Sequence, residues 1–303
     1  MQNQIYDVII IGGSYSGLAA AMSAGRALRQ VLVIDEGKPC NQPTPHSHNF
    51  LTHDGKTPLE ISRLALNDIS KYSNITIYKS RATQLTKQSN TFQVQSKSGK
   101  QFLAKKIILA HGLKDILPSI QGLKECWGIT ALHCPYCHGY EVKYLPTGIL
   151  ANGEVAFEMA KMISNWTKTL TLFTNGTSTL NQEQTQLLLK NQIQIVETPI
   201  QKIKHTQGQI NGIQLENNSI YPIQALYIRP QSKQSVSFVE ELGCNLNEQG
   251  LIEVDQQQQT TIPGIYACGD NSSFRSVSIA ICTGSIAGVM VNKALTEESF
   301  NTI

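Results

Sequence analysis

The sequence lacks the long apolar runs, the strong charge of one sign and the dense cysteines that would each fix a class at once. The most apolar segments are broken by Gly, Asp or Lys, so no run reaches the roughly 20 residues that span a bilayer. Between Met1 and Asp7 there is no basic stretch before a small-residue cleavage site, and the apolar run Val8–Ile11 has only a strand's length, so no leader is expected and the expected location is cytoplasmic. A net charge of +3 over 303 residues gives no footprint for nucleic acid or membrane lipid. Seven cysteines are scattered through the chain, unlike a small secreted disulfide scaffold. Only Cys134 and Cys137 are close in sequence. In a reducing compartment such a pair indicates redox chemistry or half a metal site. Zinc would need two further ligands. His133 and His138 adjoin the cysteines directly and no second C-x-x-C exists, so no metal is expected.

What is present is an ordinary globular composition, 41% hydrophobic and 16% charged, in a chain long enough for two cores. The β-branched run Tyr6–Ile11, a glycine turn, an Ala-rich helical stretch from Leu18 to Leu28 and the run Val31–Ile34 form a βαβ pattern. The spacing predicts a helix over 59–72, then strands at Ile75–Tyr78, Phe92–Gln95 and Lys106–Ala110. A second βαβ pattern follows: strand Thr147–Leu150, helix Val155–Ser164 and strand Leu170–Phe173. Strands are expected again at Ile193–Val196, Gln209–Leu215, Ala225–Ile228 and Ile265–Ala267, before an apolar small-residue helix, Val277–Leu295. The reading is α/β with two Rossmann-like dinucleotide-binding domains, the second inserted into the first. Residues 1–115 and 244–303 are expected to form one domain and 116–243 the other.

Gly12-Gly13-Ser14-Tyr15-Ser16-Gly17 lies at a strand-to-helix junction, where open backbone amides can meet a pyrophosphate. Ser14 stands where the pattern has its middle glycine. Asp35, after the second strand, is placed to accept a ribose hydroxyl, with Glu36 as its neighbouring alternative. Gly269-Asp270 follows the strand Ile265–Ala267. There a carboxylate can bond a flavin's ribityl chain while the next helix points its positive end at the ring.

Together with Cys134-Pro-Tyr-Cys137-His138-Gly139, these motifs resemble, in order and content, the low-molecular-weight thioredoxin reductase family over nearly the whole chain. The resemblance implies FAD as cofactor, a homodimer, Asn41 near the flavin ring, Cys137 as the sulfur beside it and Cys134 as the one that meets substrate. It implies electron flow from reduced flavin through the cysteine pair to a thioredoxin-like protein or a small-molecule disulfide. The loop carrying His46 and His48 is expected along the flavin rather than at a metal, and the other five cysteines are expected to be structural.

Two departures point to a side branch. His138 stands where typical members carry an acid, and the string CPYCHGYE is similar to the gliotoxin and holomycin dithiol oxidases. A histidine can act as acid or base near neutral pH. The second nucleotide turn reads Ala151-Asn152-Gly153-Glu154-Val155-Ala156, and Thr174-Asn175-Gly176-Thr177 follows the next strand, where NADPH users place arginines for the 2′-phosphate. NADH or NADPH thus stands as a weakly supported donor beside loss of pyridine-nucleotide binding. The alternatives to a disulfide reductase are a dithiol oxidase that uses oxygen and a flavin redox sensor.

Overall fold

The computed structural model describes residues 4–301. Its contacts divide the chain into two compact units. The first comprises residues up to Cys40, Leu59–Lys114 and from Ser232 on, and the second comprises Asn41–Pro58 and Asp115–Gln231. Relative to the boundaries read from sequence, residues 41–58 and Asp115 lie with the second unit and residues 232–243 with the first. The reason is local packing. Gly128 abuts Pro43, so that a Cβ there would sit 3.0 Å from the proline ring, and His48 pairs with Glu141 at 3.5 Å.

In the first unit, β1 (Ile5–Ile11) runs through a tight turn into α1 (Tyr15–Arg26) and back along β2 (Val31–Asp35). The strands pair in parallel, Val8 opposite Val31 and Ile11 opposite Ile34. On the other side of β1 lies Gln101–Leu109, also parallel, and on that strand Ile265–Ala267. Ile75–Lys79 extends β2, while Phe92–Ser96 and Ala82–Lys87 complete the sheet as an antiparallel meander. Val8, Ile9, Ile10, Leu32 and Val33 are wholly buried, each worth about 1.5–3 kcal/mol of transfer from water. Continuous β-branched runs are what a sheet covered on both faces selects.

The C-terminal helix Val277–Phe300 lies against α1. It is also the one helix among the described residues long and apolar enough to cross a bilayer, longer than the apolar runs noted in the sequence. Here it serves the core: a Cβ on Gly284 would strike the Ser16 carbonyl, and one on Gly288 would come within 2.5 Å of the Ala20 carbonyl. Glycine at both positions lets the two helix backbones touch.

The second unit repeats the plan. The short helix α2 (Pro135–His138) precedes β3 (Thr147–Leu150), α3 (Gly153–Ile163) and β4 (Leu170–Phe173). Its five-stranded sheet is wholly parallel, in the order Gln194–Val196, β4, β3, Ala225–Ile228, Ala131–Leu132. A three-stranded antiparallel sheet, Ile200–Thr206, Gln209–Leu215 and Ile220–Tyr221, packs beside it.

Candidate active site

In the first unit the nucleotide turn has the features a bound pyrophosphate requires. Gly12 adopts φ +105°, and its amide donates to the Ile34 carbonyl at 2.9 Å. A Cβ there would collide with the Ala110 carbonyl, and one on Gly17 with the Gly12 carbonyl, so only glycine allows this close approach. Ser14 is the N-cap of α1, but its side chain makes no capping bond and no acid stands in the first turn. The positive end of the helix is thereby left for an anionic group. Asp35 closes the turn from below, one carboxylate oxygen accepting the Gly13 amide at 2.9 Å and the other the Gly37 amide at 2.9 Å. Glu36 instead faces Lys38 and Arg81 on the surface.

At the end of the last strand Gly269 takes φ +82° and its amide donates to Thr283 Oγ1. Asp270 follows, with Arg275 Nε 3.6 Å from its carboxylate. The helix behind it, capped at Ser276 without a side-chain bond, again has no acid in its first turn. Gly12, Ser14, Gly17, Asp35, Gly269 and Asp270 thus all belong to the first unit, and they fit FAD: the glycine turn for its pyrophosphate, Asp35 for a ribose and Asp270 for the ribityl chain. Asn41 belongs to the second unit.

The second unit carries the thiol chemistry. Cys134 and Cys137 form a disulfide with their Cα atoms 5.3 Å apart. Pro135 at the first helical position fixes the turn, and Cys134 is the N-cap, its sulfur accepting the Cys137 amide at 3.2 Å. That amide and the helix end favour negative charge on Cys134 when the disulfide opens. Between the cysteines Tyr136 is exposed and meets Trp166 edge-on at 5.5 Å. Gly139 has no room for a Cβ because the Trp166 indole lies against it.

His138, directly after the pair, is held below the usual imidazole range. Burial is the main cause, and the nearby His48 adds to it while Glu141 opposes both. His48 stands edge-on to His138 at 6.5 Å. It is fixed from both sides, Nε2 facing Glu141 at 3.5 Å and Nδ1 facing Asp54 at 3.6 Å. Neither His48 nor Glu141 was assigned to this centre from sequence, because only folding brings the 41–58 loop onto the cysteine segment. His46 turns away to the Gly55 carbonyl and His133 packs on Trp127. No group of three or more metal-ligating side chains occurs among the described residues.

The remaining cysteines differ from a uniformly buried set. Cys126, Cys244 and Cys268 are buried, and burial pushes the Cys126 thiol up to about 11 and that of Cys268 up to about 12. Cys40 and Cys282 are exposed. Cys40 Sγ lies 3.6 Å from Asp270 Oδ2. The structural reading therefore holds its physical basis at three positions and lacks it at two.

A flavin-binding unit joined in one chain to a unit with a helix-capped dithiol pair defines an FAD-dependent thiol-disulfide oxidoreductase. The chain belongs to the pyridine nucleotide-disulphide oxidoreductase family, whose model matches residues 6–284. It is 30% identical over 304 residues to the thioredoxin reductase aclD of Aspergillus oryzae, covering 96% of each chain. To the thioredoxin reductase sirT of Leptosphaeria maculans it is 28% identical, covering 95% of this chain and 94% of that one. Among solved structures an oxidoreductase from Agrobacterium tumefaciens aligns with TM-score 0.91 at 36% identity, over 97% of this chain and 99% of that one. HlmI aligns with TM-score 0.91 at 28% identity, over 98% and 95%. FAD and a pyridine nucleotide are the cofactors of this family.

Proposed function

We propose that the protein exchanges electron pairs between FAD and a thiol or disulfide substrate through Cys134 and Cys137, working as a cytoplasmic homodimer. The observation that carries this reading is the Cys134–Cys137 disulfide at the start of α2, its Cys134 sulfur bonded to the Cys137 amide. Bound FAD supplies a two-electron carrier, held by the Gly12–Gly17 turn, Asp35 and Asp270. In the reductive direction the Cys134 thiolate attacks a substrate disulfide and expels one substrate thiolate. Cys137 then attacks Cys134, which closes the internal disulfide and releases the second thiolate. The thiolates take up two protons and the substrate gains two electrons. The substrates this chemistry accepts are a thioredoxin-like protein or a small-molecule disulfide, as the thioredoxin reductases aclD and sirT suggest.

One observation favours the opposite direction, oxidation of a dithiol. Burial disfavours the protonated form of His138, and a neutral imidazole next to the pair can take a proton from an incoming thiol. That is the role of a base rather than an acid. The test is to replace each cysteine separately by serine in flavin-loaded protein. Both Cys134→Ser and Cys137→Ser are expected to lower turnover roughly a thousandfold or more while FAD stays bound. Cys134→Ser alone should show a long-wavelength charge-transfer absorbance from the remaining thiolate beside the ring. A band only in Cys137→Ser would reverse the two roles, and unchanged turnover in both variants would remove the pair from the chemistry.

A further inference from the structure

The two βαβ units of this chain can be compared residue by residue at the point where each would meet a dinucleotide, and they differ there in kind. At α1 the N-cap side chain makes no capping bond and the first turn holds no acid. At α3 the N-cap is Asn152, and its side-chain oxygen accepts the Gly153 amide at 2.8 Å, the Thr179 amide at 2.8 Å and the Thr179 hydroxyl at 3.2 Å. Its amide nitrogen donates to the Thr177 carbonyl at 2.8 Å. One side chain thereby engages the amide that opens α3 and ties the 177–179 loop over it. Gly153, at φ +59°, is the glycine the motif retains, and a Cβ on it would lie 2.7 Å from Thr179 Oγ1. The loop is thereby held against the residue that opens the helix.

Charge acts in the same sense. Glu154 stands in the first turn of α3, held by Gln184 Nε2 at 2.5 Å. Glu197 accepts the Ser178 amide at 3.1 Å from the opposite side of the loop. Across residues 151–181 the only cations are Lys161 and Lys168. Lys161 lies in the last turn of α3, and Lys168, beyond that helix, donates to the Ser164 carbonyl, so neither faces the mouth. A pyrophosphate brought to α3 would meet a capped helix and two carboxylates where it needs open donors and cations.

We infer that the second dinucleotide fold of this protein excludes NADPH and NADH, with Asn152 and Glu154 as the residues that close it. The fold is kept as the scaffold that presents the cysteine pair. The inference rests on the thiol-disulfide reading above.

The experiment is an anaerobic titration of the flavin-loaded protein with dithiothreitol, NADPH and NADH, each to about 1 mM, the upper end of usual KM values. Absorbance and melting temperature are both read. Dithiothreitol should bleach the flavin, whereas both nucleotides should leave it oxidised and the melting temperature unmoved. Bleaching or a melting shift with either nucleotide overturns the inference. Failure of dithiothreitol to bleach overturns the dithiol reading instead, and the nucleotide melting shifts still decide the inference. The double variant Asn152→Gly with Glu154→Ala should gain a melting shift with NADH. No gain would show that these two side chains are not what closes the mouth.

Discussion

Asp35 was expected to serve a ribose, yet in the fold it also holds the nucleotide turn itself, and the two roles can be separated by experiment. Its two carboxylate oxygens accept the Gly13 and Gly37 amides at 2.9 Å each. A hydrogen bond to a charged group contributes about 1.5–3 kcal/mol, and less where water competes. The Gly13 bond is partly buried and the Gly37 bond exposed, which gives about 2 and about 1 kcal/mol. Asp35→Ala should therefore destabilise the first unit by about 3 kcal/mol even without FAD. For a unit of its size this lowers the melting temperature by about 9 °C. Asp35→Asn keeps one acceptor and should lose about half as much.

A second variant gives the argument its internal check. A Cβ on Gly13 would sit 2.8 Å from the Asp35 Cβ. Gly13→Ala should therefore be harmful in the wild type and milder beside Asp35→Gly, which removes that Cβ, with a coupling of about 0.5–3 kcal/mol. The assay is thermal unfolding of flavin-free protein followed by far-UV circular dichroism, with FAD affinity measured separately by fluorescence. If flavin-free Asp35→Ala melts with the wild type and only FAD binding falls, Asp35 is a ligand and not a strut, and the reasoning fails.

Two further outcomes depend on pH. Since burial lowers the proton affinity of His138 and Glu141 opposes that effect, the acid limb of kcat/KM should fall below the usual histidine value of about 6.5. Glu141→Gln should move it lower still, and His138→Gln should abolish it at a cost of about 10²–10⁴-fold in rate; a limb unchanged in His138→Gln would exclude this base. His111 is pushed down to about 4 by burial, against the raising effect of its bond to Gln234. The unfolded chain therefore binds the proton first as pH falls, and stability present above about 6.5 is lost towards pH 4, about 3 kcal/mol in all. His111→Thr should flatten that part of the melting profile, and an equally steep profile in the variant would locate the sensitivity elsewhere.

The elements that sequence made legible are those whose burial is uniform. Val8–Ile11, Val31–Ile34 and Lys106–Ala110 read as strands because sheets covered on both faces select unbroken β-branched runs, and the glycine turn between the first two could only lead into a helix. Among the strands that sequence missed, two share one reason. In Ala82–Lys87 the buried residues are Ala82 and Leu85, and in Ile200–Thr206 they are Ile200 and Ile203. Each strand has a register shift between those residues. A bulge inserts one residue and turns a period of two into a spacing of three, so the pattern no longer reads as strand.

The site divides along a similar line. Cys134, Cys137 and His138 are neighbours in sequence, and their spacing alone states their chemistry. His48 and Glu141 acquire a role only because the 41–58 loop folds onto the cysteine segment, a contact between distant residues that no local pattern encodes. Asn152 shows the limit most sharply. From sequence it fills a variable position between Ala151, where the motif glycine is missing, and the retained Gly153, so its identity says nothing about binding. In the fold its amide accepts three hydrogen bonds and donates a fourth, so a residue the motif leaves open supplies the group that closes the mouth. A variable position is silent in the sequence, but in the structure Asn152 has partners, and those partners determine whether a nucleotide can enter.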